Sequence, residues 1–216
     1  MTGHDLILTA ALTLLGALIG LVIRWRVSTL VYRHDDEASQ APPGARWWIP
    51  FAVASASGLL AWRFGVTRWP LLLPTLPVAW FGPWLSAIDH DVRRLPNRLL
   101  AIHGALTAAG VGAAALILNN PRIAIQAALG ATIAFVVFWI LDHFQPGGFG
   151  WGDGKYVPIL GAATAAVSPT VEWWAFLIAC VAAVVATPFR HRRTAFPFGP
   201  WLFAGAIAAL AVFGVA

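Results

Sequence analysis

Apolar stretches close to the roughly 20 residues that cross a bilayer recur eight times along this chain, at about 6–23, 47–65, 70–88, 99–118, 123–141, 154–168, 171–188 and 198–216. In lipid every backbone N–H and C=O must be satisfied within its own segment, which helices achieve and irregular chain does not. The sequence therefore predicts an all-α, polytopic integral membrane helical bundle of about eight transmembrane helices. It reads as one membrane domain over 1–216. Composition removes the soluble alternative: only 11% of the 216 residues are charged, against roughly a quarter in an ordinary soluble domain. The sixth run, from Gly154 to Ser168, is about 22 Å long as a helix and needs its flanks to cross. The third carries Pro70, Pro74, Pro77 and Pro83, so it is expected to kink or break, its freed carbonyls finding partners inside the bundle.

The net charge is +5, but the charges fall between apolar runs, as membrane anchors do, and form no continuous phosphate-binding face. The expected partner is the lipid bilayer, not nucleic acid. The loops after the first, third, fifth and seventh runs hold Arg24, Arg26, Arg33, Arg46, Arg93, Arg94, Arg98, Lys155, Arg190, Arg192 and Arg193. The other loops hold only Arg63, Arg68 and Arg122. The positive-inside bias then puts the first set in the cytoplasm and both termini outside a cytoplasmic membrane. The first run does not read as a signal peptide, because no Lys or Arg precedes it and Arg24 and Arg26 follow it. A lone cysteine, Cys180, forms neither an internal disulfide nor a paired zinc site, and is expected as a small buried hydrophobe.

Nine residues are acidic. Asp35, Asp36 and Glu37 form a charged run expected to be solvated, and Asp5 and Glu172 sit at helix ends, where a carboxylate is inexpensive. Asp89, Asp91, Asp142 and Asp153 remain, all at helix ends on the cytoplasmic face. A carboxylate at the edge of the hydrocarbon is a functional hypothesis by default. One constellation is Ile88-Asp89-His90-Asp91-Val92-Arg93-Arg94-Leu95-Pro96-Asn97; the other is Gly150-Trp151-Gly152-Asp153-Gly154-Lys155, preceded by Pro146-Gly147-Gly148. Taken singly, each also fits a blander role, as a charged helix end and a glycine-rich loop. No GxxxxGK[ST] occurs and no strand precedes the glycines, which excludes phosphate-loop and Rossmann readings. Two aspartates from different helices share a proton when brought together, because like charges a few ångström apart do not both ionise cheaply. One then activates water while the other donates to a scissile carbonyl, with neither metal nor cofactor. His90 and His143 read as charge partners or surface residues, and His103 as hydrogen-bonded within the bundle, with a functional role left open.

These residues resemble the prepilin peptidases, or type IV leader peptidases. That family's pattern is an aspartate, five residues, then Ile/Leu-Pro-Asn, followed by GxGDxK and a PFGPxL-like segment. Here Asp89 precedes Leu95-Pro96-Asn97, the second motif spans Gly150 to Lys155, and the third is Pro197-Phe198-Gly199-Pro200-Trp201-Leu202. The resemblance covers about 70–205 and implies that Asp89 and Asp153 are the catalytic pair. They would cut the short basic leader from prepilin-like precursors at the cytoplasmic face. Gly150 and Gly152 would allow close backbone approach to the substrate, and Lys155 would tune Asp153 or anchor at the interface. Asp91 and Asp142 are candidates for attracting the basic leader. Residues 66–216 then form the aspartic peptidase core and 1–65 a degenerate N-terminal part.

Bifunctional members also methylate the new N-terminus and carry a GSFLNVVIxR-like segment before a large loop, often with paired cysteines. This chain has Gly16-Ala17-Leu18-Ile19-Gly20-Leu21-Val22-Ile23-Arg24 and a short loop without cysteines, so it is expected to cleave without methylating. Competing readings are another GxGD intramembrane protease, though Ile88 stands where that class expects tyrosine, a proton-coupled transporter using the aspartates as a relay, and a silent assembly partner.

Overall fold

The computed structural model describes residues 2–37, 39, 41, 43–144, 150–186 and 197–214. Pro146, Gly147 and Gly148 of the glycine-rich approach, and Arg190, Arg192 and Arg193 of the charge count, lie outside the described residues. Eight α-helices follow in order: α1 Gly3–Ser28, α2 Trp48–Phe64, α3 Leu72–Val92, α4 Asn97–Ile117, α5 Arg122–Phe144, α6 Trp151–Ala165, α7 Pro169–Ala186 and α8 Gly199–Phe213. No strand occurs among the described residues. Five helices are long and apolar enough to cross a membrane: α1, α3 with the turn before it, α4, α5 and α7. At 15 residues each, α6 and α8 reach only about 22 Å; the shortness of α8 was not expected from its apolar run.

The bundle is inside out relative to a soluble protein. Leu14, Leu18, Val22, Ile133, Val137 and Val184 stand exposed on helix faces, while the buried seams are lined with small residues, as packing in lipid favours. Gly20 illustrates why: a Cβ there would lie 2.5 Å from the Cα of Pro50 on α2. The asparagine of the bifunctional pattern has no room at this position, because α1 and α2 touch backbone to backbone.

Of the kink or break expected in α3, no break occurs. A short 3-10 turn over Trp69–Leu71 takes up Pro70, and α3 then runs continuously with Pro77 and Pro83 inside it. Pro77 has no N–H, which leaves the Leu73 carbonyl without its helical donor. Gly110 of α4 closes on that carbonyl so tightly that a Cβ would stand 2.4 Å from the oxygen. The helix is stopped at its other end by Arg93, whose left-handed backbone (φ 55°, ψ 35°) ends the spiral. Leu95 precedes Pro96, a setting that disfavours helix, and Pro96 caps α4 with φ −64° and ψ 123°. Asp89 is thereby fixed one turn before a firm stop.

Cys180 is exposed, not buried. α7 buries Ala175, Ala179 and Ala183, a stripe at four-residue spacing that turns position 180 outward.

Candidate active site

Asp89 ends α3 and Asp153 falls in the first turn of α6, and both are nearly inaccessible, at 5% and 7% exposure. The two helices touch, and the carboxylates lie within electrostatic range of each other. Their surroundings differ. Asp89 Oδ2 accepts a hydrogen bond of 3.0 Å from the backbone N–H of Gly199, the first residue of α8. Asp153 Oδ1 is buried without a hydrogen-bond partner, and its Oδ2 leans back toward Gly150. The third motif thus enters the site through a main-chain donor. Its sequence alone gave Gly199 no role.

The two Asp-bearing motifs also lock together. Lys155 Nζ donates to Asn97 Oδ1 at 2.7 Å, tying the start of α6 to the start of α4. Gly152 packs against Leu95, where a Cβ would lie 3.0 Å from the leucine Cβ and 3.1 Å from its backbone nitrogen. The closeness that excludes a side chain at Gly152 is therefore internal to the chain. Pro96 and Leu95 hold the partner surface, with Leu95 buried. Gly150 caps α6 in extended backbone.

The loop between α1 and α2 is a clamp on the end of α3. Arg33 grips Asp91 with Nε at 3.0 Å and Nη2 at 2.9 Å; Arg46 adds an ion pair at 3.5 Å, and Tyr32 donates its hydroxyl to the same carboxylate. Arg94 holds Glu37 through Nε at 2.9 Å and Nη2 at 2.8 Å and also donates to the Tyr32 carbonyl. The Arg94 hydrogen bonds hold Glu37 down at about 2, and Glu37 in turn raises the Arg94 guanidinium above its usual value. Glu37 was expected to be solvated and Asp91 to be available for a basic leader; both are already paired within the chain. Asp35 and Asp36 are exposed and Asp142 is partly exposed.

The histidines divide. His90 lines a cavity, and His143 is exposed and stacks on Trp139. His103 is 0% exposed with neither ring nitrogen hydrogen-bonded, so the expected hydrogen bond is absent. It is held instead by stacking, 5.2 Å from the Phe81 ring and 5.8 Å from that of Tyr156.

Two cavities flank the aspartates. One, of about 660 Å³, is roofed by the loop from Pro43 to Arg46 and walled by Trp48 of α2, Ala87 and His90 of α3, and Phe203 of α8. The short loop thus encloses a ligand-sized space together with the membrane helices, which supply the walls. The other, of about 340 Å³, is an apolar groove among α5, α6, α7 and α8, lined in part by Phe138, Val157, Phe176 and Leu202.

A family description of the type IV leader peptidases matches residues 76–215. The chain belongs to that family. Among curated proteins, a prepilin leader peptidase/N-methyltransferase of Pseudomonas putida is 31% identical over 167 residues, which cover 75% of this chain and 57% of the relative. The chain thus spans little more than half the length of that relative. No solved structure matches it. Family membership and the run of apolar helices make it a multi-pass membrane protein. Both Asp-bearing motifs and the Gly199 segment fall within the matched region, whereas the clamp residues Arg33, Glu37 and Arg46 lie before it.

Proposed function

We propose that this chain is a membrane aspartic endopeptidase that removes the short leader from prepilin-like precursors at the cytoplasmic face, with Asp89 and Asp153 as its catalytic pair. One observation carries the reading: two buried carboxylates from different helices meet at one end of the bundle in unequal surroundings. A hydrogen bond from a main-chain N–H favours the charged form of a carboxylate and burial favours the neutral form; Asp153 also meets the Gly150 backbone, but its Oδ1 is buried with no partner. Asp89 is therefore the base that takes a proton from water as it attacks the scissile carbonyl, and Asp153 the acid that protonates the carbonyl oxygen. Collapse of the tetrahedral species releases the leader and a new amine. Position argues against a proton relay for transport, which places ionisable groups near the bilayer midplane; Asp89 and Asp153 lie at helix ends.

The reading is of cleavage without methylation, supported by Gly20 in its backbone contact and by the absence of paired cysteines. The cavity of about 660 Å³ favours a second reading, since a methyl donor needs a pocket of that order. Co-expression with prepilin-like precursors tests the first reading: a mobility shift marks leader removal, and intact precursor beside accumulated protein refutes it. Labelled S-adenosylmethionine given to the purified protein with the cleaved product tests the second; label in the product would establish methyl transfer.

A further inference from the structure

The first turn of α8 separates the two cavities. Phe198 and Leu202, four residues apart and so on one helix face, line the apolar groove. Pro200 and Phe203 line the loop-roofed pocket on the other side. Gly199 stands between them and donates its N–H to Asp89. The pocket reaches the site through Ser86, Ala87 and His90, which flank Asp89 on α3. The groove reaches it through Val157, one turn beyond Asp153, and through Phe138, whose ring lies against Gly154. One cavity therefore borders α3 next to Asp89 and the other borders α6 one turn from Asp153, and a chain passing between them crosses the first turn of α8 at Gly199.

The cavities differ in chemistry. The pocket lies under a loop bearing Arg46, and the one carboxylate on its wall, Asp91, is already neutralised by Arg33 and Arg46. It offers no unpaired negative charge to a lysine and fits uncharged backbone with small side chains. Among the described residues the groove is lined by hydrocarbon, with Glu172 as the sole charged residue, at the end away from the aspartates. Its wall on α7 runs from Pro169 to Cys180, which is about 16 Å of helix, and it matches an apolar helical segment of about 11 residues.

We infer that a precursor lies across α8 in one direction: the residues before the cut occupy the loop-roofed pocket on the Asp89 side, and the apolar spanning segment after it occupies the groove on the Asp153 side. This rests on the peptidase reading above. The leader's basic residues then project past the loop into water. Specificity comes from the step between a roomy pocket under the loop and a long apolar groove, with no charge pair to the leader.

Photo-crosslinking in the full-length chain tests the arrangement. Benzoylphenylalanine replaces Trp48 or Phe203 in the pocket and Phe176 or Trp173 in the groove, one position at a time, and the precursor carries different tags before and after the cut. Capture of the leader side from Trp48 and Phe203, and of the apolar side from Phe176 and Trp173, is the expected result. The reverse pattern, or capture of the same side from both cavities, overturns it, as does the absence of any crosslink from a variant that still cleaves. A second measurement covers any position that fails to accumulate. Cys180→Trp, which narrows the groove from an exposed position, should raise KM for the spanning precursor at least fivefold, and an unchanged KM removes the groove from the proposal. Failure of the unmodified chain to cleave would instead refute the peptidase reading.

Discussion

Asp89 and Asp153 illustrate how two copies of one side chain meet different neighbours. The Gly199 N–H donates to Asp89 Oδ2, while Asp153 Oδ1 has no donor. Asparagine at either position keeps the shape and removes the proton chemistry. Asp89→Asn and Asp153→Asn should each lower cleavage by about 10³-fold or more while the protein still accumulates in membranes, measured by precursor turnover and immunoblot. Asp91→Asn should behave differently, because Asp91 neutralises an Arg33 side chain only 3% exposed. Its loss should lower stability by about 3 kcal/mol in detergent unfolding, with cleavage by the surviving protein within about tenfold of wild type. Glu37 adds a pH test. Its carboxyl is held at about 2 from a reference of 4.5, so the stability it contributes is complete above 4.5 and is lost only as pH falls toward 2. Between pH 5 and 8 the clamp is constant. Glu37→Gln should therefore lower the unfolding midpoint without changing the shape of the pH–activity curve in that window.

Two glycines on α4 separate what sequence conveys about an element from what it withholds. Gly110 and Gly112 read alike in Gly110-Val111-Gly112. A Cβ at Gly110 would strike the Leu73 carbonyl, and one at Gly112 would meet nothing within 4 Å. Gly110→Ala should cost about 1–3 kcal/mol through overpacking, and Gly112→Ala should gain up to about 1 kcal/mol from helix propensity, both read from thermal unfolding in detergent. Equal effects would contradict the close α3–α4 contact. The eight helices themselves were legible because bilayer thickness imposes a length that composition records directly. The choice between kink and break in the proline-rich third run was not legible, because the surface that accommodates its freed carbonyl lies on another helix. Asp89 and Asp153 were legible because few carboxylates occur in this chain, so each one at a helix end is conspicuous. The clamp was not: Glu37 and Arg94 are 57 residues apart, and nothing in the local pattern of either marks its partner. Gly199 contributes a backbone N–H, which every residue but proline carries.

At the scale of the whole molecule, the loop α1–α2, the turn α3–α4 and the starts of α6 and α8 gather at one end, joined by Arg33–Asp91, Arg94–Glu37, Lys155–Asn97 and Gly199–Asp89. The opposite end is tied by Val66 donating to Asp5 and by Arg63 donating to the Val212 carbonyl. If the basic end faces the cytoplasm, an introduced cysteine at exposed Arg98 should resist a membrane-impermeant thiol reagent in intact cells, and one at exposed Asn120 should react. Arg98 serves better than Arg94, which is committed to Glu37. The background for both is Cys180→Ala, required because the native thiol is exposed.

The clamp also sets an order in time. A ribosome finishes Arg33 and Glu37 while their partners, 58 and 57 residues further along the chain, are still to be made. During that interval the first two helices can already pair through Gly20, and the loop's own contacts, Arg33 with the Ala41 carbonyl and the His34 N–H with Glu37, can form, while the ion pairs to the end of α3 cannot. Delivery of Asp91 and Arg94 at the end of α3 gives Arg33 and Glu37 their permanent neighbours. The clamp is thus completed only when the helix bearing the first aspartate has been made, and the wall of the neighbouring cavity from Ser86 to Asp91 arrives with it.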